Sequence, residues 1–140
     1  MAKDPILLDT CAWIWLMEGH DRLVKSSALR EIEKAASSGF LFLCPISVWE
    51  VCTKASRGNL RFSMPIYDWI RIGKDKSGIQ NTVLSDDIMY QSTILPGVFH
   101  QDPADRLIVA TAIKDGLRLA TGDTKILTWA EANLLKVISI

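Results

Sequence analysis

Apolar residues fall in two rhythms along this chain. Short runs bounded by turn formers or acids, PILLD (Pro5 to Asp9) and GFLFLCP (Gly39 to Pro45), predict buried strands. LRLAT and LKVIS near the C-terminal end have the same form, and IQNTVLS is a candidate third strand between the two groups. The stretches between them carry helical spacing. TCAWIWLME is apolar nearly all round, so as a helix it needs cover on more than one side. Ser26 to Ser38 place Leu29, Ile32, Ala35 and Ala36 on one face, and Ser47-Val-Trp-Glu50 opens a helix ending near Gly58. Pro65 to Lys74 turns Ile66, Trp69, Ile70 and Gly73 inward, while Asp86 to Leu95 forms a short helix stopped by Pro96-Gly97. HQDPADRLIVATA (His100 to Ala112) runs into an apolar helical face closed by Gly116; Thr124 to Ala130 forms the last helix, after a Gly122-Asp123 turn. Strands alternating with helices predict an α/β domain, residues 1–140, whose parallel sheet is covered on both faces.

A chain of 140 residues, 49% of them apolar, fits one domain with a core of its own. Its 16 basic and 16 acidic residues cancel, so a nucleic-acid partner must be held by a local patch or through a bound cation. Cys11, Cys44 and Cys52 lack metal-ligand spacing and are odd in number, which fits small buried hydrophobes in a reducing compartment. No signal peptide and no run long enough to span a membrane are present. A soluble, cytoplasmic protein is the expectation.

In open α/β sheets, ligands bind beyond the carboxyl ends of the strands. Asp9 ends the first strand, Glu50 lies early in the helix after the second, and Asp123 follows LRLAT by two residues. Asp102 and Asp105 occupy the first turn of the helix after Gly97 and can join them if that helix starts at the same edge. Each acid also has a structural explanation. Ser47-x-x-Glu50 reads as a capping box, Asp102-Pro103 as a cap followed by proline at the first helical position, and Asp123 as another cap. Asp9 is harder to dismiss, because an acid directly after Ile6-Leu7-Leu8 stands where burial is costly. Carboxylates crowded at a dry edge repel one another, and a hard divalent cation such as Mg²⁺ relieves that repulsion with oxygen ligands and retained waters.

LLDT (Leu7 to Thr10), ISVWEV (Ile46 to Val51), HQDPADRLIVATA and LATGD (Leu119 to Asp123) together resemble the acidic motifs of PIN-domain proteins. More narrowly, they are similar to the VapC-type toxins of bacterial toxin–antitoxin pairs, as is KASRGNLRFSMP after the glutamate. The resemblance implies a three-layer α/β/α PIN fold and an endoribonuclease dependent on Mg²⁺ or Mn²⁺, cutting to a 3′-hydroxyl and a 5′-phosphate. It also implies a protein antitoxin and a homodimer as partners. Carried over by residue, the catalytic and metal-site acids are Asp9, Glu50, Asp105 and Asp123. Asp102 matches the extra acid of the D-P-x-D-R form, with capping or support of the site as its expected duty; Thr10 and Thr121 match hydroxylic positions that orient neighbours. Cys11 departs from the pattern, which often has histidine there.

Cationic candidates for RNA contact are Lys54, with Arg57 and Arg61 about a turn apart beyond it, and Lys125; Gly58-Asn59 interrupts the first series. Arg106 is expected in a structural ion pair before a phosphate contact. His20 and His100 are not at triad spacing, which sets aside a serine or cysteine nucleophile, and His100 reads as a loop or capping residue. No Walker loop or dinucleotide fingerprint is present. Trp49 and Trp69 read as core, whereas Trp13 and Trp15 cannot share one helical face, so that helix is a candidate interface. A catalytically silent PIN-like binding module is the alternative function, against which the intact acids argue. A receiver-like phosphoacceptor ranks lower, since LCP carries no aspartate.

Overall fold

Alternate residues of the first strand point to opposite sides, and this alternation builds two cores. The computed structural model describes residues 4–133 and 135–140. In chain order its elements are β1 (Ile6–Leu8), α1 (Thr10–Glu18), α2 (Asp21–Val24), α3 (Ala28–Ser37), β2 (Leu41–Leu43), α4 (Pro45–Ser56) and α5 (Ile66–Ser77). They continue with β3 (Gln80–Asn81), α6 (Asp86–Thr93), α7 (Pro103–Asp115), β4 (Arg118–Thr121), α8 (Thr124–Glu131) and β5 (Val137–Ser139). Among the described residues the strands make one all-parallel, five-stranded sheet in the order β3-β2-β1-β4-β5.

Leu7 lies between Phe42 and Leu119, and Leu8 between Leu43 and Ala120. Ile6 and Leu8 pack with Trp13, Leu23, Ile32 and Trp69 on one face of the sheet. Leu7 and Leu119 face the other way, against Ile108, Val109, Ile126 and Trp129. Both faces are thereby covered, which is why the strands read as unbroken apolar runs. The chain runs from β1 outward to β2 and β3, then returns to add β4 and β5 on β1's other side. β1 therefore stands at the point where strand order reverses, the place where such sheets open a crevice.

The structure corrects several sequence expectations. Helix α4 begins at Pro45, with Cys44 as its cap, because proline suits the first helical turn. Ser47 and Glu50 therefore form no capping box. Starting the helix there also turns Ser47 and Val51 inward and leaves Trp49, expected in the core, 61% exposed. The candidate third strand contracts to Gln80–Asn81, an edge paired with β2 alone. Helix α2 was not foreseen; the His20 imidazole caps it, accepting from Arg22 N at 3.1 Å. Cys44 is buried as expected, but Cys11 is exposed, and all three thiols are free. Trp13 is fully buried in the chain's own core and Trp15 is half-buried. No helix among the described residues is long and apolar enough to cross a membrane.

Gly73, expected to face inward, receives the end of Met17 from α1. A Cβ built on it would lie 1.4 Å from Met17 Cε and 2.5 Å from Sδ. Gly73→Val should therefore lower stability by about 1–3 kcal/mol, the usual cost of overpacking. Denaturant midpoints should show Met17→Ala recovering part of that loss in the double variant; additive losses would refute the contact.

Candidate metal centre

The site starts where β1 ends. Asp9 N is held by Ala120 O at 3.1 Å, and its side chain caps α1, Oδ1 accepting from Ala12 N at 2.7 Å. The other oxygen, Oδ2, accepts from the Thr121 hydroxyl at 2.5 Å. Asp9 is thus tied to both its own helix and the end of β4, at only 5% exposure. The sequence assigned it no cap, although an acid just before Thr10 carried that signal.

Thr121 also accepts from Asp123 N at 3.0 Å, so one buried hydroxyl sets two acids. Asp123 caps α8 as expected, its Oδ1 accepting from Lys125 N and Ile126 N at 2.8 and 3.2 Å. On the other side, Thr10 donates to Glu50 Oε1, and its oxygen lies 2.9 Å from the Ser47 hydroxyl. With the Thr10 proton directed to Glu50, Ser47 donates to Thr10. Ser47 is therefore a buried peg of the site rather than a helix cap, a role visible only once α1 and α4 are packed together. Both threonines orient acids, as the resemblance implies.

Asp102 caps α7 as expected, its Oδ1 accepting from Ala104 N at 2.9 Å and Asp105 N at 3.2 Å. This aims Asp105 into the same opening. His100 Nε2 lies 3.2 Å from Asp105 Oδ2, close but off the direction of a hydrogen bond. That neighbour of the acid was not foreseen. Arg106 is not the ion-pair partner the sequence suggested. Its Nε donates to Ser92 O, and its Nη1 donates to Phe99 O and His100 O, at 2.9, 3.0 and 3.1 Å. It pins the segment between α6 and α7, and so places His100 and the start of α7.

Asp9, Glu50, Asp102, Asp105 and Asp123 line one cavity of about 310 Å³, together with Lys54. Thr10 and Cys11 are in its wall, as are Trp15, expected at an interface, and Gly122; Arg22, which sequence reasoning passed over, is there too. Arg57 and Arg61 lie exposed beyond α4. A larger cavity of about 670 Å³ lies between α6, α7 and α8, lined by Leu95, Pro96 and Trp129, away from this group of acids.

The acids strain one another. Burial raises the Asp9 carboxyl to about 6 against the hydrogen bonds from Thr121 and Ala12, with Asp123 and Glu50 adding repulsion. Asp105 is raised to about 7, first by desolvation and then by Asp102, Asp123, Glu50 and Asp9. Cys11 is exposed as a residue, yet desolvation of its sulfur and the Asp9 charge raise its thiol pKa, so it stays protonated. An all-oxygen donor set that resists its own ionisation fits a hard divalent cation. Among the described residues, no three His, Cys, Asp or Glu side chains already close round one point as a metal cage.

The two raised values fix a pH dependence. Between the unfolded carboxylate value of 3.8 and about 6, folded Asp9 binds its proton more tightly than the unfolded chain does. Its contribution to stability is therefore fully present below about pH 4 and is lost as pH rises to about 6; Asp105 extends the loss toward about 7. In EDTA the melting temperature should fall between pH 5 and pH 8. Asp9→Asn keeps both partners of the carboxylate and should flatten that fall, raising the pH 8 value by several degrees. Millimolar Mg²⁺ should stabilise the unaltered protein at pH 8 but not the variant; equal melting curves in all conditions would contradict this electrostatic account.

Comparison with known proteins agrees with the geometry. The PIN domain model matches residues 6–131. Ribonuclease VapC22 of Mycobacterium tuberculosis is 30% identical over 121 residues, covering 86% of this chain and 88% of that protein. Among solved structures, VapBC2 from Rickettsia felis bound to a promoter DNA fragment aligns with a TM-score of 0.71 at 16% identity, over 96% of this chain and 97% of that one. A toxin–antitoxin complex from Klebsiella pneumoniae aligns at 0.62 with 24% identity, over 96% of each chain. These structural likenesses bear on the fold, whereas the domain match and the VapC22 identity bear on descent. The chain belongs to the PIN-domain family.

Proposed function

We propose that this protein is an endoribonuclease dependent on Mg²⁺ or Mn²⁺ and the toxin of a toxin–antitoxin pair. The observation that carries this reading is the convergence of Asp9, Glu50, Asp105 and Asp123 on one cavity at the carboxyl edge of the sheet. The kinship with a ribonuclease, VapC22, supports RNA as the substrate. The solved relatives described as VapBC and toxin–antitoxin complexes support a protein antitoxin. Homodimerisation belongs to the same reading, and light scattering checks it.

Asp9 and Asp105 would hold the ion, with Glu50 and Asp123 completing its surroundings. When bound, a divalent ion supplies Lewis-acid chemistry, shielding the charge that builds on the phosphoryl oxygens. Thr121 holds the Asp9 carboxylate and the Asp123 backbone, and Thr10 holds the Glu50 carboxylate. Asp105, in the first turn of α7, would also orient the attacking water. Lys54 meets the backbone from the α4 side of the cavity. Water adds across the P–O3′ bond, which breaks to leave a 3′-hydroxyl and a 5′-phosphate.

Purified protein should cut RNA in Mg²⁺ or Mn²⁺ and stop in EDTA, with Asp9→Asn and Asp105→Asn reducing the rate by roughly 100-fold or more. Cleavage that persists in EDTA or in both variants would remove the metal mechanism. Thr121→Val, which takes away the shared hydroxyl, should lower metal affinity or rate by roughly 10- to 100-fold, read as a higher Mg²⁺ concentration for half-maximal activity.

A further inference from the structure

The cavity that gathers the acids has a cation on its rim that the mechanism above does not use. Arg22 of α2 lines the acidic cavity and also a second one of about 560 Å³ that begins beside it. The two share Arg22, Asp102, Asp105, Gly122 and Asp123, and Lys125 lies along the second. The two cavities adjoin, with Lys54 in the wall of the first, Lys125 in the wall of the second, and Arg22 lining both beside the carboxylates.

The position of Arg22 is built. Its guanidinium lies 4.5 Å from the centroid of the Trp15 ring, a cation–π contact. Its Nη2 donates to the Gly122 and Ile140 main-chain oxygens in long bonds of 3.4 and 3.5 Å. At Gly122 a Cβ would come within 2.8 Å of that nitrogen and 3.0 Å of Trp15 Cη2, so the absent side chain lets the pair lie against the residue preceding Asp123. Among the described residues no side-chain carboxylate lies within ion-pair distance of Arg22. An exposed guanidinium with most donors free, fixed beside an anionic pocket, is suited to forked binding of a phosphate.

Resting on the ribonuclease reading, we propose that Arg22 is a substrate-binding residue that grips an RNA backbone phosphate adjoining the one that is cut, with Trp15 as its positioning residue. A polyanion laid across the two cavities then meets Lys54, Arg22 and Lys125 beside the acid cluster. In a chain of zero net charge, this local pattern must supply the attraction that the whole surface does not.

The test uses the full chain with Asp9→Asn to prevent cutting, and a fluorescent single-stranded oligoribonucleotide whose anisotropy is followed against salt in Mg²⁺. Arg22→Gln keeps a donor for the main-chain oxygens but no charge, whereas Arg22→Lys keeps the charge. Arg22→Gln should weaken binding about tenfold near 0.1 M salt and reduce the slope of log K against log salt by about 0.7, one single-strand phosphate contact, with Arg22→Lys restoring the slope. An unchanged slope in Arg22→Gln overturns the proposal, including the case in which both variants merely melt earlier. If the protein with Asp9 intact cuts no RNA in Mg²⁺ while the slope still falls, the ribonuclease reading fails and the phosphate contact stands.

Discussion

Everything in this molecule is arranged round one costly placement, a carboxylate at the dry end of the central strand. Asp9 follows three buried aliphatic residues and is itself almost fully buried, with both oxygens committed to hydrogen bonds. Those bonds favour the charged form, and desolvation outweighs them. Other acids are then brought within range, which makes the cost larger. A fold under selection for stability alone would have no reason to assemble such a group, whereas a site that must attract a cation needs it.

The scaffold holds this conflict by using its acids twice. Asp9, Asp102 and Asp123 each cap a helix while facing the cavity. Capping satisfies backbone donors at helix starts and places the carboxylates against positive helix ends, which offsets part of the repulsion. Glu50 and Asp105 do not cap, and they are held by other means. Glu50 depends on a hydroxyl from α1, and Asp105 is presented by a helix whose start is fixed through the carbonyls that Arg106 gathers. Thr121, wholly buried, links the two strand-end acids through one oxygen. The site is thus distributed over elements that meet only when the sheet has closed.

Much of this was legible in the chain because the signals are local. Apolar runs ending in turn formers located β1, β2 and β4, and the Asp102-Pro103 and Gly116 pair bracketed α7 closely. The order of the acidic motifs pointed to the PIN family, which the domain match bears out. Local signals also misled where two of them competed. Pro45 and Ser47 both mark helix starts, and proline's fixed backbone angle prevailed, which moved Trp49 to the surface and released Ser47 for the site. Helix α2 is too short for periodicity to announce it, so Arg22 passed unnoticed.

By itself, then, the sequence determined most of the alternating elements, the strand ends on which the acids fall, and the caps that Asp102 and Asp123 provide, since each depends on neighbours a few residues away. Only the tertiary structure decided that Thr121 bridges Asp9 and Asp123, that Thr10 carries Ser47 to Glu50, that Arg106 serves carbonyls instead of an acid, and that Arg22 reaches the rim. Apart from the local bonds of Thr121 with Asp123 and of Arg106 with Phe99 and His100, the hydrogen bonds among them join residues 14 to 112 positions apart, and they depend on sheet order and helix rotation, which no local pattern encodes.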